Sequence, residues 1–414
     1  MMQLSIDSEA IQADLDAIAA CSDSPPPGVT RVVYGAADQR ARAYLRGRCV
    51  QAGLALREDA LGNLFARWEG AEPGLPAVAS GSHIDAIPAS GRFDGTVGVV
   101  GALEAIRALQ RTGHAPRRAI ELLLFTSEEP TRFGVGCLGS RALCGTLDQH
   151  SLRALQDAEG RSLDELRAAA GFVGPLEGVA LAPGHYAAFV ELHIEQGPLL
   201  ETEQLPIGVV RAIAAPAALR LRLHGEGGHA GAVLMLGRRD ALLAGAEVAL
   251  AVERAALTSG SPDTVATTGR FVILPGAVNA IPSAATLEID VRDVAAEPRD
   301  RALAMIDAAV EEICGRRHVT YELQRLNADP PATSDPAVIA AIITACVGLG
   351  MGYQVMVSRA YHDSLFMARL APTAMIFIPC RGGVSHRADE YVEPEQICQG
   401  VAVLASTLEQ LSVS

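Results

Sequence analysis

No C-x-x-C pair occurs in the chain, although eight cysteines are spread from Cys21 to Cys398. Neither a thiolate zinc site nor a disulfide framework is expected, and the thiols read as free, buried side chains of a reducing compartment. No apolar run reaches membrane-spanning length, and the N-terminus has neither a basic leader nor a continuous apolar core. The expectation is a cytoplasmic protein. Positive charge is scarce: 34 basic against 48 acidic side chains leave a net charge of −14. That balance argues against nucleic acid and membrane surfaces as partners. A phosphate-binding loop is missing as well. The 40 glycines suggest one, but "GTVGVVG" follows Asp94 rather than a strand, and no Walker lysine accompanies it.

What is present is an ordinary enzyme-like composition, 49% hydrophobic and 20% charged over 414 residues, long enough for two domains. Apolar runs at 76–82, 118–126, 187–194 and 206–213 read as strands, and the stretch after Asp94 reads as a helix with Val99, Leu103 and Ile106 on one side. This alternation predicts an α/β fold. The polar segment 145–184, with a helix in "RSLDELRAAAG", reads as a surface excursion. From 214 to 328 the rhythm becomes βαββαβ: strands at 217–224, 264–274, 284–292 and 318–327, helices at about 238–257 and 298–314. That order predicts an inserted ferredoxin-like α+β domain, leaving 1–213 and 329–414 as the surrounding domain. The α/β pattern then resumes with "AMIFIPC" at 374–380.

One short stretch poses the functional question. "LLLFTSEEP" ends a buried strand in two adjacent acids, Glu128 and Glu129, whose repulsion a bound cation would relieve. Further ligand types stand at the ends of other predicted strands: His83, Asp85 and Asp94 in "GSHIDAIPASGRFDG", His193 and Glu195 in "ELHIEQG", His386 in "GGVSHRADE". Open α/β sheets build their sites at those ends. A lone loop histidine is ordinarily a surface or hydrogen-bonded residue, and His114, His150, His185, His224 and His318 are read that way. Ser127 and Cys380 lack the elbow and the neighbouring base of a nucleophile, so both are read as structural.

The motifs "GSHIDAIPASGRFDG", "FTSEEPTRFG", "LHIEQGP", "GGHAG…RRDA", "PGAVNAIPS" and "GVSHRADEY" follow the order seen in the M20-type binuclear metallohydrolases. The chain most resembles the branch of N-carbamoyl-L-amino acid hydrolases, allantoate amidohydrolases and ureidoglycolate amidohydrolases. Within it, "SRAYHDSLFMAR" with Tyr361 is most similar to the last of these.

The resemblance implies a mixed-sheet catalytic domain with the inserted domain as lid and dimerisation module, hinged at 211–216 and 328–332. It implies two divalent ions, manganese favoured over zinc, with Asp94 bridging, His83 and His193 on one ion, and Glu129 and His386 on the other. Ligands of oxygen and imidazole nitrogen suit such ions. Asp85 is expected to accept from the far nitrogen of His83 and fix its tautomer. Glu128, diverging from Glu129 as neighbours on an extended chain do, is left as general base. His229, reaching in from a partner subunit, is expected at the oxyanion. Arg292 and Asn279 are expected to hold a substrate carboxylate, Gln196 and His362 to meet the ureido group, and Tyr361 to narrow the pocket and bring a hydroxyl. The implied reaction opens the ureido group of ureidoglycolate to give ammonia, carbon dioxide and glyoxylate. The alternative substrates are allantoate and N-carbamoyl-L-amino acids. A catalytically silent binding protein is disfavoured, because base and ligands are all present.

Overall fold

The computed structural model describes residues 4–413. The chain divides into two compact units. One runs to Arg211 and resumes over Thr333–Met356 and from His362 onward; the other comprises Ala212–Ala332 and Val357–Tyr361. This division differs by a few residues from borders at 213/214 and 328/329, and it adds Val357–Tyr361 to the second unit.

A nine-stranded mixed sheet forms the centre of the first unit. Its main run is ordered Ile207–Ile213, Thr373–Ile378, Tyr186–Ile194, Ala77–His83, Ile120–Phe125, Leu64–Trp68 and Ala55–Glu58. The four strands from Thr373 to Phe125 in this order are parallel, and antiparallel strands flank them. Successive side chains of a strand face opposite sides. Accordingly Ile120, Leu122 and Leu124 enter one core, with helices Ser8–Ala19, Thr96–Arg111 and Pro394–Val413, while Leu123 and Phe125 enter a second.

The second core corrects the surface reading of 145–184. Leu152, Leu163, Leu166, Phe172, Leu176 and Val179 are all buried in it. These apolar residues are too widely spaced to show a period of their own; the sheet buries them one at a time. The helix expected here is Leu163–Ala169, capped reciprocally by Ser162 and Glu165.

The glycines of "GTVGVVG" have a packing reason. A Cβ at Gly98 would sit 2.3 Å from the carbonyl oxygen of Leu192, so helix Thr96–Arg111 can lie against strand Tyr186–Ile194 only with glycine there.

The second unit is a four-stranded antiparallel sheet ordered Val265–Leu274, Ala284–Asp293, Ala215–His224, Thr320–Ala328. Helices Ala241–Leu257 and Ala296–Arg317 contribute Val248, Val252, Leu303 and Ile306 to a core shared with Leu219, Leu221, Leu287 and Ile289. This is the βαββαβ arrangement that the sequence rhythm predicts. Charged pairs such as Arg220–Glu288 (3.0 Å) and Arg222–Glu322 (3.5 Å) join neighbouring strands of the sheet. Among the described residues no helix is long and apolar enough to cross a membrane.

Candidate functional site

Parallel strands end on one edge of a sheet, and the predicted ligands of the first unit gather along that edge. His83 is the last residue of Ala77–His83, and His193 is the last but one of Tyr186–Ile194. Glu128 and Glu129 follow Ile120–Phe125, His386 follows Thr373–Ile378, and Asp94 precedes helix Thr96–Arg111.

The two oxygens of Asp94 face two different groups. Oδ1 lies 3.2 Å from His193 Nε2 and 3.7 Å from His83 Nε2. Oδ2 lies 3.1 Å from His386 Nε2, which is 3.3 Å from Glu129 Oε1. Two triads therefore share one carboxylate, His83–Asp94–His193 and Asp94–Glu129–His386, each with ligand atoms within 4.8 Å of one another.

The residues fit a pair of divalent cations. His83 Nδ1 faces the Asp85 carbonyl at 3.1 Å, and His193 Nδ1 faces the Ile194 carbonyl at 2.9 Å. With a cation bound, the rings would be neutral, their protons on Nδ1 donated to those carbonyls and their Nε2 lone pairs free to bind it; in its absence the Nε2 atoms face Asp94 as donors. The surrounding acid density also asks for cations. Burial, then Asp94, pushes Glu129 up to about 7. Burial raises Glu128 well above the carboxylate range; Glu129, Asp363 and Asp85 add to this, and His83 opposes it. Burial acts on Asp94 in the same sense, but hydrogen bonds from His193, His386 and His83 outweigh it and hold that carboxyl well below its usual range. A third triad, Glu191–His193–His362, also has ligand atoms within reach of one another. Its Glu191 oxygens are already engaged by Ser82 Oγ (2.7 Å) and Ser364 Oγ (2.5 Å). Burial, and then His193, keeps His362 well below its ordinary value.

Two expectations about the acid pair are corrected. The strand stops at Phe125, and Ser127 takes a left-handed φ of 58°, so a turn and not a strand pleat sets the directions of Glu128 and Glu129. Asp85 does not act chiefly on His83. Its Oδ1 and Oδ2 accept the amide N–H groups of Glu128 (3.1 Å) and Glu129 (3.0 Å), while the ring nitrogen is met by the Asp85 carbonyl, nearer than its carboxylate at 3.7 Å. Ser127 Oγ donates to the Glu129 carbonyl, consistent with its structural reading.

Gln196, expected to contact substrate, lies against the metal-ligand group. Its Nε2 donates to Asp94 Oδ2 (2.8 Å), and its buried Oε1 has no hydrogen-bond partner among the described residues. Glu195, also weighed as a ligand, turns away: its oxygens accept from the N–H groups of Leu199 and Leu200.

Several supporting residues carry no motif of their own. Glu390 Oε1 accepts from the N–H groups of Phe93 (2.8 Å) and Asp94 (3.1 Å), fixing the residue the two triads share; an acid close after His386 is the only sequence hint. Buried Arg31 holds the Ile84 carbonyl and Thr96, and buried Arg42 holds the Gly62 carbonyl and Thr126. Cys137 donates its thiol to Glu128 Oε1 at 3.3 Å.

In the second unit, His229 and Asn279 are neighbours. The short strand Gly228–His229 pairs with Ala280–Ile281, and the Asn279 carbonyl accepts from Ala230 N–H. His229 is exposed, and its Nδ1 accepts from Gly231 N–H (3.1 Å), which leaves Nε2–H as an outward donor. The Arg292 fork grips Asp290 (2.6 and 3.2 Å), and the Tyr361 hydroxyl donates to Asp329 (2.5 Å). Both side chains expected at the substrate are thus engaged by acids of their own unit.

Residues 79–410 match the model of the Peptidase family M20/M25/M40. The chain is 52% identical to the ureidoglycolate hydrolase of Oryza sativa subsp. japonica over 413 residues, covering 99% of this chain and 85% of that protein. It is 38% identical to the N-carbamoyl-L-amino acid amidohydrolase of Geobacillus stearothermophilus, with 94% of each chain covered. AtUAH, solved in complex with (S)-hydroxyglycine and separately with glyoxylate, aligns at a TM-score of 0.88 and 50% identity, with 99% of this chain and 98% of that one covered.

Proposed function

The chain belongs to Peptidase family M20/M25/M40, and from that membership we propose that it is a ureidoglycolate amidohydrolase. It hydrolyses the ureido group to ammonia and carbon dioxide, and the hydroxyglycine left behind breaks down to glyoxylate. The observation that carries this reading is the match to the rice ureidoglycolate hydrolase over nearly the whole chain, by a sequence whose ligand triads are intact. The hydroxyglycine and glyoxylate held by AtUAH support it, being the products this reaction leaves.

His83 and His193 would hold one ion, Glu129 and His386 the other, and Asp94 would serve both. Two bound divalent ions, manganese favoured, supply a more acidic water and a polarised carbonyl. Glu128 takes a proton from the attacking water and returns it to the departing nitrogen. The Nε2–H of a partner copy's His229 meets the oxyanion. Arg292 and Asn279 clamp the carboxylate, for which the Arg292 fork must release or share Asp290. Gln196 Oε1, which has no partner among the described residues, and His362 meet the ureido group, while Tyr361 narrows the pocket around a small substrate. The second unit serves as lid and dimerisation module, hinged at 211–216 and 328–332. Its edge strand Val265–Leu274, with Phe271 37% and Leu274 58% exposed, supports a homodimer. The enzyme works in the cytoplasm.

Purified enzyme loaded with Mn²⁺ is offered ureidoglycolate, allantoate and an N-carbamoyl-L-amino acid. Ammonia release is expected to be fastest from ureidoglycolate. Faster release from either of the others establishes the alternative substrate. Glu128→Gln is expected to lower kcat about 10²–10³-fold with metal content retained, and turnover at the wild-type rate would remove Glu128 as base.

A further inference from the structure

Glu128 has two oxygens in unlike surroundings. Oε2 lies 3.8 Å from His83 Nε2, on the side of the metal triads. Oε1 lies 3.3 Å from the sulfur of Cys137, which is fully buried. The backbone holds this pair in register. The N–H groups of Cys137, Leu138 and Gly139 donate to the carbonyls of Glu128 (2.7 Å), Ser127 (2.8 Å) and Thr126 (2.8 Å). Three successive hydrogen bonds thus join the start of helix Leu138–Leu143 to the turn that carries the base, and Asp85 holds the same turn from its N–H side. Cys137 itself sits at φ 54°, ψ 38°, a left-handed conformation that glycine adopts at least cost. A side chain is nevertheless retained there, and its terminal atom lies on the carboxylate.

We propose that Cys137 is a positioning residue for the reaction: its thiol fixes the rotamer of Glu128, so that Oε2 alone is presented to the water and the leaving nitrogen. This inference rests on the reading of Glu128 as the base. The chemistry of the donor fits the task. The thiol supplies one short donor to Oε1 and no second contact, which is enough to orient the carboxylate about its last torsion. A nucleophilic role does not fit, because the sulfur is closed off from solvent.

The test uses the metal-loaded enzyme and the variants Cys137→Ala, Cys137→Ser, Glu128→Gln and the double variant Glu128→Gln/Cys137→Ala. Ala and Ser meet the same backbone conformation as Cys, so neither adds backbone cost at this position. Cys137→Ala is expected to lower kcat about tenfold with KM unchanged, the signature of an interaction needed in the transition state. Metal content and melting temperature stay at wild-type values. Cys137→Ser is expected to recover kcat to within about threefold of wild type, because a short donor again reaches Oε1. In the Glu128→Gln background, Cys137→Ala is expected to change nothing further. Wild-type kcat in Cys137→Ala, equal damage in Ala and Ser, or loss of metal along with kcat would each overturn the proposal. A further loss in the double variant would show that Cys137 acts by another route. Undiminished turnover in Glu128→Gln alone sinks the base assignment instead, which is a separate outcome.

Discussion

Asp85 shows what a single carboxylate does when its two oxygens receive consecutive amides. Both acceptor positions are filled by backbone N–H groups, so the directions of Glu128 and Glu129 are set by one side chain on a different strand end. Asp85→Asn keeps the size and replaces one acceptor by an NH₂, which would then face an N–H donor. The expected result is a folded protein whose Mn²⁺ affinity is about 10–100-fold weaker, measured by titrating the metal-free protein; unchanged affinity would mean the turn holds its shape without Asp85. At this scale the sequence shows residue types well and hydrogen-bond directions poorly. The ligand types of the site are legible as His, Asp and Glu at strand ends. That the ring of His83 is met by the Asp85 carbonyl and not by its carboxylate is a choice residue types do not show, and that Glu390 folds back onto the amide of Phe93 from 297 positions away is a fact of three-dimensional closure.

Helix Thr96–Arg111 and strand Tyr186–Ile194 set the distance between Asp94 at the helix start and His193 near the strand end. Their contact runs through Gly98, where a methyl group would meet the Leu192 carbonyl one residue before His193. Gly98→Ala must push helix and strand apart or bend both. It is expected to destabilise the protein by about 1–3 kcal/mol and to weaken metal binding as well, read as a lower melting temperature and a shifted Mn²⁺ titration. Gly47→Ala is the control: it lies in helix Ala36–Gln51 with nothing within 4 Å of the added carbon, so metal binding there should be untouched. Elements whose own pattern carries their burial, such as Ile120–Phe125 or the βαββαβ run, can be read from the chain. The segment 145–184 cannot, because Leu152, Leu163 and Phe172 are buried by a sheet face built from distant residues.

The two units carry different halves of the proposed machinery. Metal ligands and base belong to the first, whereas His229, Asn279, Arg292 and Tyr361 belong to the second. The order of motifs makes both halves legible in sequence, yet a motif does not say which copy of the chain completes which site. In a two-fold symmetric dimer whose His229 serves the opposite active site, the two halves can be damaged on separate chains and still meet intact. A chain with His229→Ala keeps Glu128 and its ligands; a chain with Glu128→Gln keeps His229. When equal amounts of the two variants are dissociated and reassociated, random pairing makes half of the dimers mixed, and each mixed dimer has one complete site of two. The mixture is then expected to recover about a quarter of wild-type kcat, although each parent alone is nearly inactive. If His229 acts on its own chain, no pairing completes a site and the mixture stays at the mean of its parents. Substituting Phe271→Lys on the exposed edge strand of both chains should suppress the recovery if that edge forms the dimer contact, because a charge there opposes strand pairing between copies.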